Sequence, residues 1–376
     1  MDVMGTRLNM LEEAYKGLET TGVSLVAYRD GKPYGAGFTD DIGTYAVIPK
    51  LAQWLELSIP QAINVFYYSV ICVSLVIGLM GVYFLYENAK ERIIAFFGVF
   101  AIALYSAKIG DVYVFAPCAA MSMVPWLLYA IRRPSNTKLF IWLAPIGGFL
   151  IGTLHFMRSH SGTAVALFML VLLIFKYRGS VKDKTLVCCA MMGAMAIPVL
   201  AFGSLVRRSE HFIKTQDAQY ESGLHKHPFW HSVYIGLGFV RNPYVTDYKD
   251  EVAVAKVKSI DPSVGYVTKE YEAILKREVL KIRNFSFWIT NFGAKTGVVL
   301  FYFLVFANAG LILRMVRGGF DYDLPFLAAL LFSALPGILV VPDRDYLVGL
   351  NAFALLYNTM MVNSHLFRRN LSIVST

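Results

Sequence analysis

The chain has 376 residues, of which 56% are hydrophobic and 16% charged, with a mean hydropathy of +0.52. That balance excludes an ordinary soluble globular domain. Its net charge of +9 does not argue for nucleic acid as a partner, because the basic residues collect in short connections between apolar runs.

Residues 1–61 read as an extracytoplasmic N-terminal loop. Within it, residues 37–45 form a polar stretch carrying the paired carboxylates Asp40 and Asp41. Paired aspartates often form turns, and Asp41-Ile42-Gly43-Thr44 also reads as the cap of a short helix. The first seven residues lack the apolar core of a signal peptide. Either the first span carries this tail across the membrane, or Met1 is an internal start and an upstream span is missing. The second is the expectation here.

Spans of about 20 apolar residues are expected near 62–86, 93–108, 112–131, 139–157, 162–176, 185–206, 295–314, 324–341 and 345–365. Prolines inside several of them, such as Pro125, Pro145 and Pro198, are tolerated where neighbouring helices satisfy the freed carbonyls. Cys72, Cys118, Cys188 and Cys189 all lie within these runs, which argues against disulfides or a CxxC zinc site and reads them as small packing residues.

The connections fix an orientation. Segments 87–92, 132–138, 176–184, 314–317 and 368–369 together hold 13 Lys and Arg, whereas the short connections of the other set hold three, Lys108, Arg158 and Arg344. The basic set is cytoplasmic by the positive-inside bias. Residues 1–61, the turns at 109–111, 158–161 and 342–345, and the long insertion 207–294 then face outward. The expected organisation is an all-α polytopic membrane protein of about nine transmembrane helices. Spans one to six occupy 62–206, and the last three, with a cytoplasmic tail, occupy 295–376. One large extracytoplasmic loop carries short amphipathic helices, with residues 268–283 placing Tyr271, Ile274, Leu275, Val279 and Ile282 on one stripe. Residues 234–240 are glycine-rich and read as a turn, without the strand–helix context of a phosphate-binding fingerprint.

Chemistry is expected where ionisable residues gather on the outer side. Asp111 stands alone at a span end, as an interface cap or a site member. Arg158 and His160 share one outer turn, and Arg344 lies on another. Arginine can snorkel there, and it is also the residue suited to hold phosphate bidentately. His155 is a weaker candidate inside its span. In the insertion, His227 and His231 stand four apart, a spacing that permits a metal, but no third ligand is identifiable. They read more readily as substrate contacts, with Trp230 able to stack on a sugar ring.

This layout resembles the C-type (GT-C) membrane glycosyltransferases, which use polyprenyl-phosphate sugars. Asp40 or Asp41 matches their acidic first-loop residue, Asp111 the acidic residue of the next outer loop, and Arg344 a late arginine at an outer span end. The resemblance is one of layout with short motifs; the family's leading span and its soluble domain after the last span have no counterpart here. It implies inverting transfer of a sugar from a polyprenyl-phosphate donor to a glycan, lipid or protein acceptor on the extracytoplasmic face. Asp40 or Asp41 would be the base, Asp111 would hold a divalent metal or the acceptor, and Arg158, His160 and Arg344 would hold the lipid phosphate. His227, Trp230 and His231 would bind substrate. Two other readings stand beside it. An envelope polysaccharide polymerase or ligase would lean on Arg241 and His231, and a transporter would show charges at mid-membrane depth and inverted repeats.

Overall fold

The computed structural model describes residues 5–132, 137–218, 220, 229–266, 268–317 and 321–367. Helix α1 (Gly5–Thr21) leads into an antiparallel hairpin of β1 (Val26–Arg29) and β2 (Lys32–Gly35), in register Val26 to Gly35 and Arg29 to Lys32. Helix α2 (Ile42–Leu55) follows. The expected N-terminal loop is therefore a folded unit. In β1 the buried Val26 and Ala27 are consecutive and Tyr28 and Arg29 are exposed, so the short strand carries no two-residue alternation and the hairpin was not legible.

The bundle comprises α3 (Ile59–Leu85), α4 (Ala89–Ile109), α5 (Phe115–Arg132), α6 (Thr137–Met157), α7 (Thr163–Phe175), α8 (Val181–Gln216), α12 (Phe285–Arg317), α13 (Asp323–Leu339) and α14 (Val348–Leu366). Each expected apolar segment falls on one of these helices. Six, α3 to α6, α8 and α12, are long and apolar enough to cross a membrane, while α7 and α13 are shorter apolar helices. These are the features of a multi-pass membrane protein. Most of α14 is buried among its neighbours, and a helix covered by protein needs less hydropathy than one facing lipid.

Local signals set the boundaries. Ser58 and Gln61 form a capping box at the start of α3, Ser180 and Asp183 another at α8, and the Asn88 side chain caps α4. Gly110, at φ 59°, ends α4 in the left-handed conformation that glycine adopts freely. The helices pair α3 with α5, α6 with α8, α7 with α13 and α12 with α14. Glycine permits the α6–α8 approach: a Cβ on Gly148 would stand 2.1 Å from the Met191 carbonyl oxygen.

The insertion is shorter than expected, because α8 runs on to Gln216 and α12 begins at Phe285. Hydropathy marks where apolar residues stop, not where the backbone ladder stops. Between them lie α9 (Phe229–Gly236), α10 (Asp250–Ile260) and α11 (Lys269–Lys281), around a separate core of Tyr234, Leu237, Val257, Tyr271 and Leu275. The amphipathic stripe is as expected, with Tyr271, Ile274, Leu275 and Val279 buried and Thr268 capping α11. The glycine-rich segment departs from expectation, since Tyr234–Gly236 ends α9 and only then does a tight turn follow.

The connections sort to two ends of the bundle. At one, Arg132 Nη1 donates to the Leu85 carbonyl at 2.9 Å, Lys176 pairs with Asp321 at 3.2 Å, and Asn363 Nδ2 donates to the Glu91 carbonyl at 2.9 Å. At the other, Ser159 N donates to the Asp40 carbonyl at 2.6 Å and Thr44 Oγ1 to the Met157 carbonyl at 3.1 Å. The alternating-turn pattern read from charge is thus realised in space as two separate ends.

Candidate functional site

Four stretches distant in sequence meet at the second end. Helix α1 brings Arg7, the start of α2 brings Asp40 and Asp41, the α4–α5 turn brings Asp111 and Tyr113, and the end of α6 brings Arg158. Arg7 Nη1 donates to Asp111 Oδ2 at 2.7 Å, and its Nε lies 3.4 Å from Asp41 Oδ2. Arg158 Nη1 donates to Asp40 Oδ2 at 2.8 Å and stands 4.0 Å from Asp41 Oδ2. Arg158 Nη2 donates to the Tyr113 hydroxyl at 3.4 Å, with its guanidinium over that ring. Tyr346, from the turn before α14, packs edge-on against Tyr113 at 5.1 Å.

The local reasons differ for each carboxylate. Asp41 occupies the N-cap position of α2 but makes no capping hydrogen bond through its side chain, which is fully buried and faces the arginines. Asp111 does cap, its Oδ1 accepting from Val112 N at 2.6 Å while Oδ2 accepts from Arg7. Asp40 is tied through its own carbonyl to Ser159. Of the three side chains it keeps the most surface, 13% against 3% for Asp111 and none for Asp41.

Burial alone would depress both guanidinium pKa values. For Arg7, Asp111, Tyr113 and Asp41 outweigh that effect and hold it well above its ordinary range. For Arg158, Tyr113, Asp40 and Asp41 raise it against both burial and the repulsion of Arg7. Both therefore stay charged throughout the working pH range. Burial, followed by Asp41, drives the Tyr45 hydroxyl far above the normal phenol range. The Tyr346 hydroxyl is raised by neighbouring Tyr113 and then by burial.

The other candidates fall elsewhere. His160 has a left-handed backbone at φ 67° and packs its ring near His155 and Phe332. Arg344 is half exposed and pairs with adjacent Asp345 at 3.2 Å. His231 is buried in the insertion, where Nδ1 meets the Tyr271 hydroxyl at 2.8 Å and Nε2 meets Asp250 at 3.0 Å. Trp230 donates its backbone N–H to Glu272 Oε1 and lies beneath Lys276. These partners all belong to the insertion. His225, His227, Arg368 and Arg369 lie outside the described residues.

A divalent metal does not fit the acidic cluster. The Arg7 guanidinium bridges Asp41 and Asp111, and among the described residues no three of His, Cys, Asp and Glu gather as a ligand set. Arg7 itself escaped sequence reading, because a single arginine in a polar N-terminal stretch has no distinguishing context. Lys295 escaped for another reason. It stood at the expected boundary of its span, whereas α12 begins ten residues earlier and makes it a buried interior residue.

Compared with known proteins, the chain matches no family model, no curated protein and no solved structure.

Proposed function

We propose that this chain is a multi-pass membrane glycosyltransferase that moves a sugar from a polyprenyl-phosphate donor to an acceptor on the extracytoplasmic face. Its fold would comprise nine spans with a cytoplasmic C-terminus. The observation that carries the reading is the meeting of Asp40, Asp41, Asp111 and Arg158 at the bundle end whose connections are poor in lysine and arginine.

Asp40 is the general base on this reading. A base must reach the proton it removes, and Asp40 keeps more side-chain surface than Asp41 or Asp111. It would take the proton of the acceptor hydroxyl as that oxygen attacks the anomeric carbon. The bond from that carbon to the phosphate oxygen breaks, and the lipid phosphate leaves with the electron pair. Inversion follows from the single displacement. Arg158 would keep Asp40 ionised and aimed, while Asp41, Asp111 and Arg7 fix the surrounding field. No metal enters this scheme.

Replacing Asp40, Asp41 and Asp111 singly with Asn, then measuring sugar transfer in membranes, tests the proposal. Asp40→Asn is expected to lower kcat by at least roughly a hundredfold, in the range of lost general-base catalysis. Full activity in all three variants would end it. The polymerase or ligase reading predicts instead that Arg241 and His231 variants lose activity. Arg241 is exposed, but His231 already has both ring nitrogens engaged within the insertion, which favours the first reading.

A further inference from the structure

We infer that Lys295 and Asn291, one turn apart on α12, form a buried site for the phosphate group of an amphiphile. Both side chains are fully buried. The Nζ of Lys295 has no hydrogen-bond partner among the described residues, and neither has the Oδ1 of Asn291. The Asn291 amide is otherwise engaged, since Nδ2 donates to the Leu237 carbonyl at 2.9 Å. Phe292 offers Lys295 its ring at 5.7 Å, an attraction that supplies no hydrogen-bond acceptor.

The surroundings place this pair at a junction. Leu237 belongs to the tight turn after α9, and that turn lies directly against the end of α13, where a Cβ on Gly236 would stand 2.4 Å from the Val340 carbonyl oxygen. One turn beyond Lys295, Val299 packs at Gly337 of α13. Helical side chains lean toward the N-terminus, so Lys295 points to the level of Asn291, beneath that turn.

A buried ammonium without an acceptor is strongly unfavourable, and an ionisable residue on an apolar helix marks a ligand path more often than a packing choice. Lysine is a strong phosphate binder through its point charge. The Asn291 oxygen would accept from a hydroxyl on the same ligand. Arg158 is committed to Asp40, and Arg344 pairs with Asp345. Lys295 therefore supplies the cation that a lipid phosphate needs, entering beside α12, whose outer face is mostly exposed. The turn at Gly236–Leu237 would lift to admit it.

The choice of a lipid phosphate over a free one rests on the proposed function; the anion site itself does not. The test measures equilibrium binding of farnesyl phosphate, inorganic phosphate and farnesol to the full chain in phosphatidylcholine nanodiscs, with Lys295→Met, Lys295→Gln and Asn291→Leu beside the parent. Farnesyl phosphate is expected to bind at least roughly tenfold more weakly to both lysine variants, with farnesol binding unchanged. A smaller loss is expected for Asn291→Leu. Without ligand, Lys295→Met should melt no lower than the parent, because it removes an uncompensated charge. Preference for farnesyl phosphate over inorganic phosphate assigns the lipid source, and equal binding assigns a free anion. Undiminished binding in the lysine variants, no anion binding by the parent, or an equal loss of farnesol binding overturns the site. Since binding is read without transfer, a chain that binds but transfers nothing refutes only the chemistry proposed for Asp40.

Discussion

Replacing Arg7 with methionine should destabilise the protein more than any other single change at the cluster. Arg7 is the cation shared by Asp111, at 2.7 Å, and Asp41, at 3.4 Å, and these carboxylates are 3% and 0% exposed. Two unit charges 4 Å apart interact by about 4 kcal/mol at an effective dielectric of 20. Removing one partner from a buried pair typically costs about 3–5 kcal/mol, because the remaining charge keeps its desolvation penalty. At roughly 2–4 °C per kcal/mol this lowers the melting temperature by roughly 6–20 °C. The assay is thermal unfolding in detergent, followed by tryptophan fluorescence. Adding Asp111→Asn to Arg7→Met should recover part of the loss, since the double variant buries one charge fewer. Arg7→Lys should fall between, because lysine keeps the charge but not the fork that reaches two carboxylates. An Arg7→Met protein melting within about a degree of the parent would refute the reasoning, as each kcal/mol should be visible.

Burial, reinforced by Asp343, raises the pKa of Asp345. A carboxyl raised in the folded state contributes stability when protonated, and that contribution is lost as pH rises through its folded pKa. Asp345→Asn should therefore melt higher than the parent at neutral pH, the difference vanishing below roughly pH 4. Tyr45→Phe removes a buried hydroxyl with no hydrogen-bond partner among the described residues, and its melting temperature should stay level or rise, by up to about 1–2 kcal/mol in stability. His231→Phe deletes both ring-nitrogen contacts, to Tyr271 and Asp250; limited proteolysis should then cut within 217–284 while the membrane helices stay intact. In a background without the native cysteines, cysteines at exposed Lys32 and Lys108 should react with an impermeant maleimide on intact cells. Those at exposed Lys90 and Lys182 should react only after permeabilisation, and the reverse pattern would invert the proposed sidedness.

Much of the fold was legible because its signals are long and redundant. Nine apolar runs land on nine helices, and the lysine and arginine asymmetry anticipates which connections share an end. The carboxylates were legible as candidates for the same reason: Asp40, Asp41 and Asp111 sit on connections of one parity. What convergence adds could not be read. No pattern in a single sequence links Arg7 to a residue 104 positions away, since the contact depends on how α1 folds back over the bundle. The insertion shows a related limit. The spacing of His227, Trp230 and His231 looks like an exposed recognition motif, yet Tyr271 and Asp250 from two other helices enclose His231. Short-range spacing carries no information about such partners.

Stability alone does not explain why this end of the bundle is built from charge. A buried ionic cluster can often be exchanged for apolar residues of similar volume without loss, and sometimes with gain. Here three carboxylates and two guanidiniums are drawn from α1, the α2 start, the α4–α5 turn and the α6 end. A hydrophobic contact between those four elements would fasten them equally well. What apolar packing would not provide is a fixed field around Asp40, the carboxylate with the most surface, held by Arg158 on one side and backed by the pair that Arg7 neutralises. Asp41 and Asp111 are almost fully enclosed, so on the proposed function they act through Asp40 and Arg158. On that reading, the separation of a reachable carboxylate from a buried electrostatic frame lets it take the hydroxyl proton within a preorganised field. On the proposed function, variants of the frame should alter the pH dependence of transfer, whereas Asp40→Asn should lower kcat by at least roughly a hundredfold at every pH.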